Sequence, residues 1–333
     1  MSREHSGAVV VGVDGSRSAT DAVAWAAAEA ASTGAPLRLV AALGPPPARP
    51  VEEGEPREVA ARHVVVSARA ALDMAAEQAT RVHPGLDVDT QTRDGFAVPV
   101  LLDESRHASL LVTGNRGLGG VPGLLLGSVS MSVAAKADCA VVVVRGVPGH
   151  SGDDRPVVVG VDGSARSDPA LELAFAKAAE RGAPLLAVHT WSDQLLVELG
   201  PIVDFDAINA DERRLLSERL AGWREKYPDV EVRTLVRRAR PAEALLELSA
   251  TAQLLVVGSR GRGRVSGLLL GSVGHALLHL AGCPVLMALP SLRTVVPGRE
   301  RFRCSSREDF DETAPLPGPG EGPTPMRMWS RED

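Results

Sequence analysis

The strongest constraint on this chain is that it contains itself twice. The segment AVVVGVDGS, Ala8–Ser16, returns 148 positions later as PVVVGVDGS, Pro156–Ser164, with eight of nine positions identical. A second block, Leu110–Val129, returns 144 positions later as Leu254–Val273, with fifteen of twenty identical. That period is several times longer than a solenoid unit, so it marks a duplicated domain. The expected domains are residues 1–147 and 155–290, joined through Pro148–Asp154, a stretch of linker composition in which Asp153 and Asp154 read as a solvated charge pair. Residues 291–333 are rich in Pro, Gly and mixed charge without periodicity, and read as a disordered tail.

Each half alternates β-branched runs with helical patterns. In the first, strands are expected at Val9–Val13, Leu37–Leu43, Leu86–Thr92, Leu110–Thr113 and Ala140–Val144. Helices are expected between them, the first capped by Ser16 and ended by Gly34. The second half predicts strands near 157–161, 184–190, 230–236, 253–257 and 284–289. Short apolar strands separated by helices imply parallel βαβ units, hence an α/β fold with helices on both faces of the sheet. The fifth strands would expose unpaired edges, and pairing them with each other is the simplest cover.

Composition narrows the function classes. A formal net charge of −6 argues against a nucleic-acid partner. Three cysteines without a C-x-x-C spacing support neither a disulfide framework nor a zinc site, and Cys139 and Cys283 stand where buried thiols serve as small hydrophobes. His275 and His279 are four apart, but the Glu of a zinc helix and a third ligand are both missing. The N-terminal residues lack an apolar leader and no apolar run reaches about 20 residues, so a cytoplasmic location away from membranes is expected.

The chemistry concentrates in one loop. Gly114-Asn-Arg-Gly117, nine residues, then Gly127-Ser128 is the first copy; Gly258-Ser-Arg-Gly261, nine residues, then Gly271-Ser272 is the second. Each lies between a strand and a helix, at the carboxyl end of the sheet where ligands of open α/β sheets bind. A helix starting there offers free N–H groups and a positive dipole end to phosphate. Glycine allows close approach and positive φ, and the Ser128 or Ser272 hydroxyl can serve a phosphate or a metal. No Lys occurs in either loop, which excludes a P-loop, and a G-x-G-x-x-G turn is missing after the first strands, which end in Asp14-Gly-Ser and Asp162-Gly-Ser.

The repeated Val-Gly-Val-Asp-Gly-Ser, the G-x-x-G-x9-G-S loop and the Cys-started strand after it resemble the universal stress protein family in its tandem form, over residues 7–145 and 155–289. The resemblance implies two Rossmann-like domains of adenine nucleotide alpha hydrolase type, each with a five-stranded parallel sheet. It implies ATP, with Mg2+, held in the first half by Asp14, Gly114, Gly117, Gly127 and Ser128, and in the second by Asp162, Gly258, Gly261, Gly271 and Ser272. The adenine would lie near Val40 and Val188. The resemblance also implies an intramolecular pseudo-dimer through the fifth strands and leaves a further homodimer open. Arg260, Arg262 and Arg264 make the second loop the more basic, so tighter triphosphate binding is expected there. No nucleophile–base arrangement stands out, so binding with little or no turnover is expected. The alternatives are a slow ATPase or nucleotide-dependent enzyme, and an interaction protein that keeps the fold without the ligand.

Overall fold

The computed structural model describes residues 7–44, 57–119, 126–146, 153–191, 204–259 and 270–289. They all belong to one folded unit, Met1–Val295. The expected disordered tail, 291–333, lies outside the described residues, as does most of the 148–154 connection.

The first half runs β1 (Ala8–Gly12), α1 (Arg17–Thr33), β2 (Leu37–Ala42), α2 (Arg57–Val82), β3 (Val88–Arg93), α3 (Ala97–Ser105), β4 (Ala108–Gly114), α4 (Ser128–Lys136) and β5 (Ala140–Val144). The second runs β6 (Val157–Val161), a 3-10 turn, α5 (Asp168–Arg181), β7 (Leu185–Trp191), α6 (Phe205–Lys226), β8 (Val232–Arg238), α7 (Pro241–Ser249), β9 (Leu254–Gly258), α8 (Ser272–Leu280) and β10 (Val285–Ala288). The strands expected from the repeat are all present. Ser16 accepts from the Ala19 N–H, and Gly34 ends α1 in the left-handed region at φ 66°, as a helix stop requires.

The strands form one ten-stranded sheet in the order β3-β2-β1-β4-β5-β10-β9-β6-β7-β8. Each half supplies five parallel strands, and the order reads the same from either end. The halves meet where β5 pairs antiparallel with β10, with Val143 opposite Val285, Val142 opposite Leu286 and Met287 opposite Val141. Two edges that would otherwise offer open N–H and C=O groups are thereby closed. Their apolar sequences follow, because both strands are now central and buried on both faces.

Strand alternation sends side chains to two cores. Val9, Val11, Leu37, Leu39 and Val112 pack under α1 and α2. Val10, Val40, Leu111, Val141 and Val143 pack under α3 and α4. Each core continues across the seam into the second half. Cys139 and Cys283 are buried, and burial pushes both thiols up to about 12, as expected of small hydrophobes. Asp153 departs from its expected solvated role: its carboxylate accepts from the Arg155 Nε at 2.9 Å and is mostly shielded.

On one face the halves also meet through α1 and α5. Glu29 of α1, 3% exposed, binds Lys177 and, at 2.7 Å, the Arg181 guanidinium of α5. Lys177 is shared with Glu180 at 2.6 Å, and Arg181 stands over the Trp25 ring at 5.3 Å. Burial works to raise the Glu29 pKa, but Lys177 and Arg181 outweigh it and hold the carboxyl below its ordinary 4.5. Such a group gives stability that is complete above the unfolded value and is lost as pH falls through the folded one.

Two predictions follow from the seam. Leu286→Ala should lower the unfolding free energy in urea by about 2–5 kcal/mol, the cost of a core leucine. The urea midpoint should fall as pH drops below 4.5, and Glu29→Gln should remove part of that dependence. A pH profile of Glu29→Gln parallel to that of the wild type would refute the second.

Candidate functional site

The Asp-Gly-Ser turns sit at the carboxyl ends of β1 and β6. Gly15 and Gly163 adopt φ of 82° and 77°, the left-handed region that side chains disfavour. The turn is closed by the aspartate: the Ser16 N–H donates to Asp14 Oδ1 at 2.9 Å, and the Ser164 N–H to Asp162 Oδ1 at 2.8 Å.

In the first half this turn holds the glycine loop. The Leu118 N–H donates to Asp14 Oδ2 at 2.9 Å. Ser16 donates to the Arg116 carbonyl at 3.3 Å. Ser18 donates to Asn115 Oδ1 at 2.7 Å and accepts from the Arg116 N–H at 3.2 Å. Beyond the loop, the Gly127 N–H returns to the Asn115 carbonyl at 2.7 Å, and Ser130 donates to the Gly114 carbonyl at 2.6 Å. Asp14, Gly114, Gly117, Gly127 and Ser128 are thus brought together. Ser18, Asn115 and Ser130 join them, and only the repetition of Ser16 in the Asp-Gly-Ser motif signalled any of the hydroxyl partners.

The positive φ expected of the loop glycines is not found at Gly114, Gly117 or Gly127, and two of them have a packing reason that the sequence did not show. A Cβ on Gly114 would lie 2.5 Å from the Ser18 carbonyl oxygen, and one on Gly117 would lie 2.4 Å from Asp14 Oδ2. These two are small so that the turn and loop can touch. Gly127 is different: its nearest neighbours would be the Asn115 and Arg116 backbone at 3.5 and 3.6 Å, an ordinary contact. Among the described residues neither crowding nor φ requires glycine there. Gly127 caps α4 with no side-chain bond, and Ser128, the first helical residue, is exposed. The first intrahelical bond is Met131 N–H to Gly127 carbonyl, so the N–H groups of residues 128–130 precede the helical ladder.

The second half repeats this framework with other side chains. The Gly271 N–H donates to the Ser259 carbonyl at 2.9 Å, and Gly271 caps α8 ahead of an exposed Ser272. Gly258 ends β9 opposite Ala288. Asp162 Oδ1 also accepts from the Ser164 hydroxyl at 2.8 Å and from the Ser167 hydroxyl. The Ser130 position is taken by Gly274, where a Cβ would meet the Met287 methyl at 2.9 Å. Gly261, Arg260, Arg262 and Arg264 lie outside the described residues. Val40 and Val188 are 1% and 2% exposed, and the Val40 carbonyl accepts from the Val13 N–H at 2.8 Å. Both side chains belong to the same buried core as Leu111 and Leu255. Among the described residues no group of three His, Cys, Asp or Glu converges on a common point, and no helix is long and apolar enough to cross a membrane.

Comparison with known proteins gives a consistent match. The pattern of the Universal stress protein family fits residues 6–145 and again 155–288. A universal stress protein of Mycobacterium tuberculosis is 42% identical over 291 residues, covering 85% of this chain and 97% of that protein. One from Mycolicibacterium smegmatis is 41% identical with the same coverage. Among solved structures, a universal stress protein from Archaeoglobus fulgidus superimposes with a TM-score of 0.65 at 19% identity, over 85% of this chain and 98% of that one.

The contacts of the loop separate its glycines by experiment. Gly114→Ala should cost about 1–3 kcal/mol through overpacking against backbone. Gly127→Ser should stay within about 0.5 kcal/mol of the wild type, since it has room and caps a helix well. Equal melting temperatures for these two variants would contradict the assignment.

Proposed function

The chain belongs to the universal stress protein family, and on that premise we propose that it binds ATP, one molecule in each half, as a regulatory module with little or no turnover. The nucleotide-binding units are residues 1–147 and 155–290. The observation that carries the reading is Gly127: among the described residues no clash and no positive φ demands a glycine there, and it stands at the start of α4. A side chain would fill the room a phosphate needs, and the N–H groups of residues 128–130 together with the helix dipole favour an anion at that point. Gly271 and α8 offer the same arrangement in the second half.

Charge sorts the ligand's ends. An ionised Asp14 or Asp162 accepts hydrogen bonds and repels phosphate, so it suits the ribose hydroxyls. Phosphates then lie toward the helix start, beside the exposed Ser128 or Ser272. Val40 and Val188 lie beneath the base. Mg2+ would be carried chiefly by the phosphates, as is usual where a protein supplies few carboxylates, with the Ser128 or Ser272 hydroxyl beside it. ATP would add a further tie between turn and loop, so its binding would change a surface that a partner can read.

Native mass spectrometry with Mg-ATP should show two nucleotides per chain. Gly127→Leu and Gly271→Leu should each remove one, and the double variant both. Retention of both nucleotides by the double variant would overturn the loop assignment. Steady-state hydrolysis should stay below about 1 s⁻¹, the low end of ordinary turnover; a faster rate favours the enzyme reading.

A further inference from the structure

Helices α1 and α5 are equivalent in the repeat, each ended by a glycine at the same place, Gly34 and Gly182. Counted back from those glycines, Glu29 occupies the position that Lys177 holds in the second half. The two equivalent residues bind each other. A residue that touches its own equivalent lies on the axis relating two like halves. The strand seam has the same centre: Val142 and Leu286, each three residues after its cysteine, face each other in the ladder. The axis of the duplication therefore runs through a buried pair of opposite charges.

That placement discriminates between assemblies that the seam itself cannot tell apart. The strands Ala140–Val144 and Val285–Ala288 are both apolar, and either could pair antiparallel with a second copy of itself. The axial residues could not. Two first halves would bring Glu29 onto Glu29 with neither cation present, because Thr33 stands where the second half has Arg181. Two second halves would bring Lys177 onto Lys177, each keeping its own Glu180 but losing Glu29, with Arg181 losing both Glu29 and the Trp25 ring that it covers. Two Glu29 carboxylates without a cation, or two lysines and two arginines sharing only the Glu180 pair, are costly at positions this buried, and rejection of wrong partners works through such repulsion.

We propose that Glu29 and Lys177 form a pairing code, by which a first half accepts only a second half, in its own chain or in another copy of it. Duplication followed by opposite charges at one position turned a self-complementary face into a pair of distinct ones. The code stands apart from nucleotide binding and holds whether or not the loops carry ligand.

The test uses the full chain with a protease site placed in the connection at 147–152, cleaved after folding, then taken through urea and refolded. Native mass spectrometry reads the partners directly, because the two halves differ in mass. The wild type should return only first-with-second pairs. Glu29→Gln/Lys177→Gln should raise like-with-like pairs at least about tenfold, the change that 1.4 kcal/mol of selectivity corresponds to. The reversed variant Glu29→Lys/Lys177→Glu should again exclude first-with-first pairs, because the two introduced lysines would then meet with neither Glu180 nor another second-half carboxylate present. Like-with-like pairs as scarce in the neutral variant as in the wild type would overturn the code, and so would first-with-first pairs as common in the reversed variant as in the neutral one.

Discussion

The antiparallel pairing of β5 with β10 is the contact on which the rest of the structure depends. Each half alone would be a five-stranded parallel sheet with one apolar edge strand open to water. Joining those edges satisfies their backbone groups and places Val141–Val143 and Val285–Met287 in the middle of a ten-stranded sheet. It also makes both cores continuous from one half to the other. The outer edges, β3 and β8, are the more polar strands and are only partly buried, as suits an edge.

The same architecture sets where chemistry can occur. Because each half's strands are parallel, the Asp-Gly-Ser turn and the glycine loop emerge at one end of its sheet, on the neighbouring strands β1 and β4, or β6 and β9. At the site, positive φ falls in the turn, at Gly15 and Gly163, and not at Gly114, Gly117 or Gly127. In the loop of the first half, Gly114 and Gly117 are small because Ser18 and Asp14 press against them. Asp14 thus has a structural duty, holding Leu118, in addition to any it has toward a ligand.

Duplication has been followed by divergence wherever the backbone framework left side chains free. Ser18 ties the first loop to the first turn, whereas Ser167 bonds back to Asp162 within the second turn. Ser130 supports the Gly114 carbonyl, but Gly274 makes way for Met287. Glu29 and Lys177 have become opposites at the axis. The backbone bonds Gly127 N–H to Asn115 carbonyl and Gly271 N–H to Ser259 carbonyl persist regardless, because any residue's carbonyl can accept them.

The sequence by itself determined the duplication, the alternation of strands and helices, the parallel sheet, and the turn and loop as neighbours at the strand ends. These are local properties, written as periodicity, caps and glycines, and a buried parallel strand must be an unbroken apolar run. Tertiary structure decided what depends on residues far apart in the chain: the register of β5 against β10, the crowding of Gly114 by Ser18 and of Gly117 by Asp14, which no described residue imposes on Gly127, and the meeting of Glu29 with Lys177. In one dimension, a glycine kept small by a neighbour looks the same as one without such a neighbour. Only the position of Ser18 and Asp14 in space tells them apart. Likewise Glu29 is an ordinary helix residue until the fold sets its own counterpart against it.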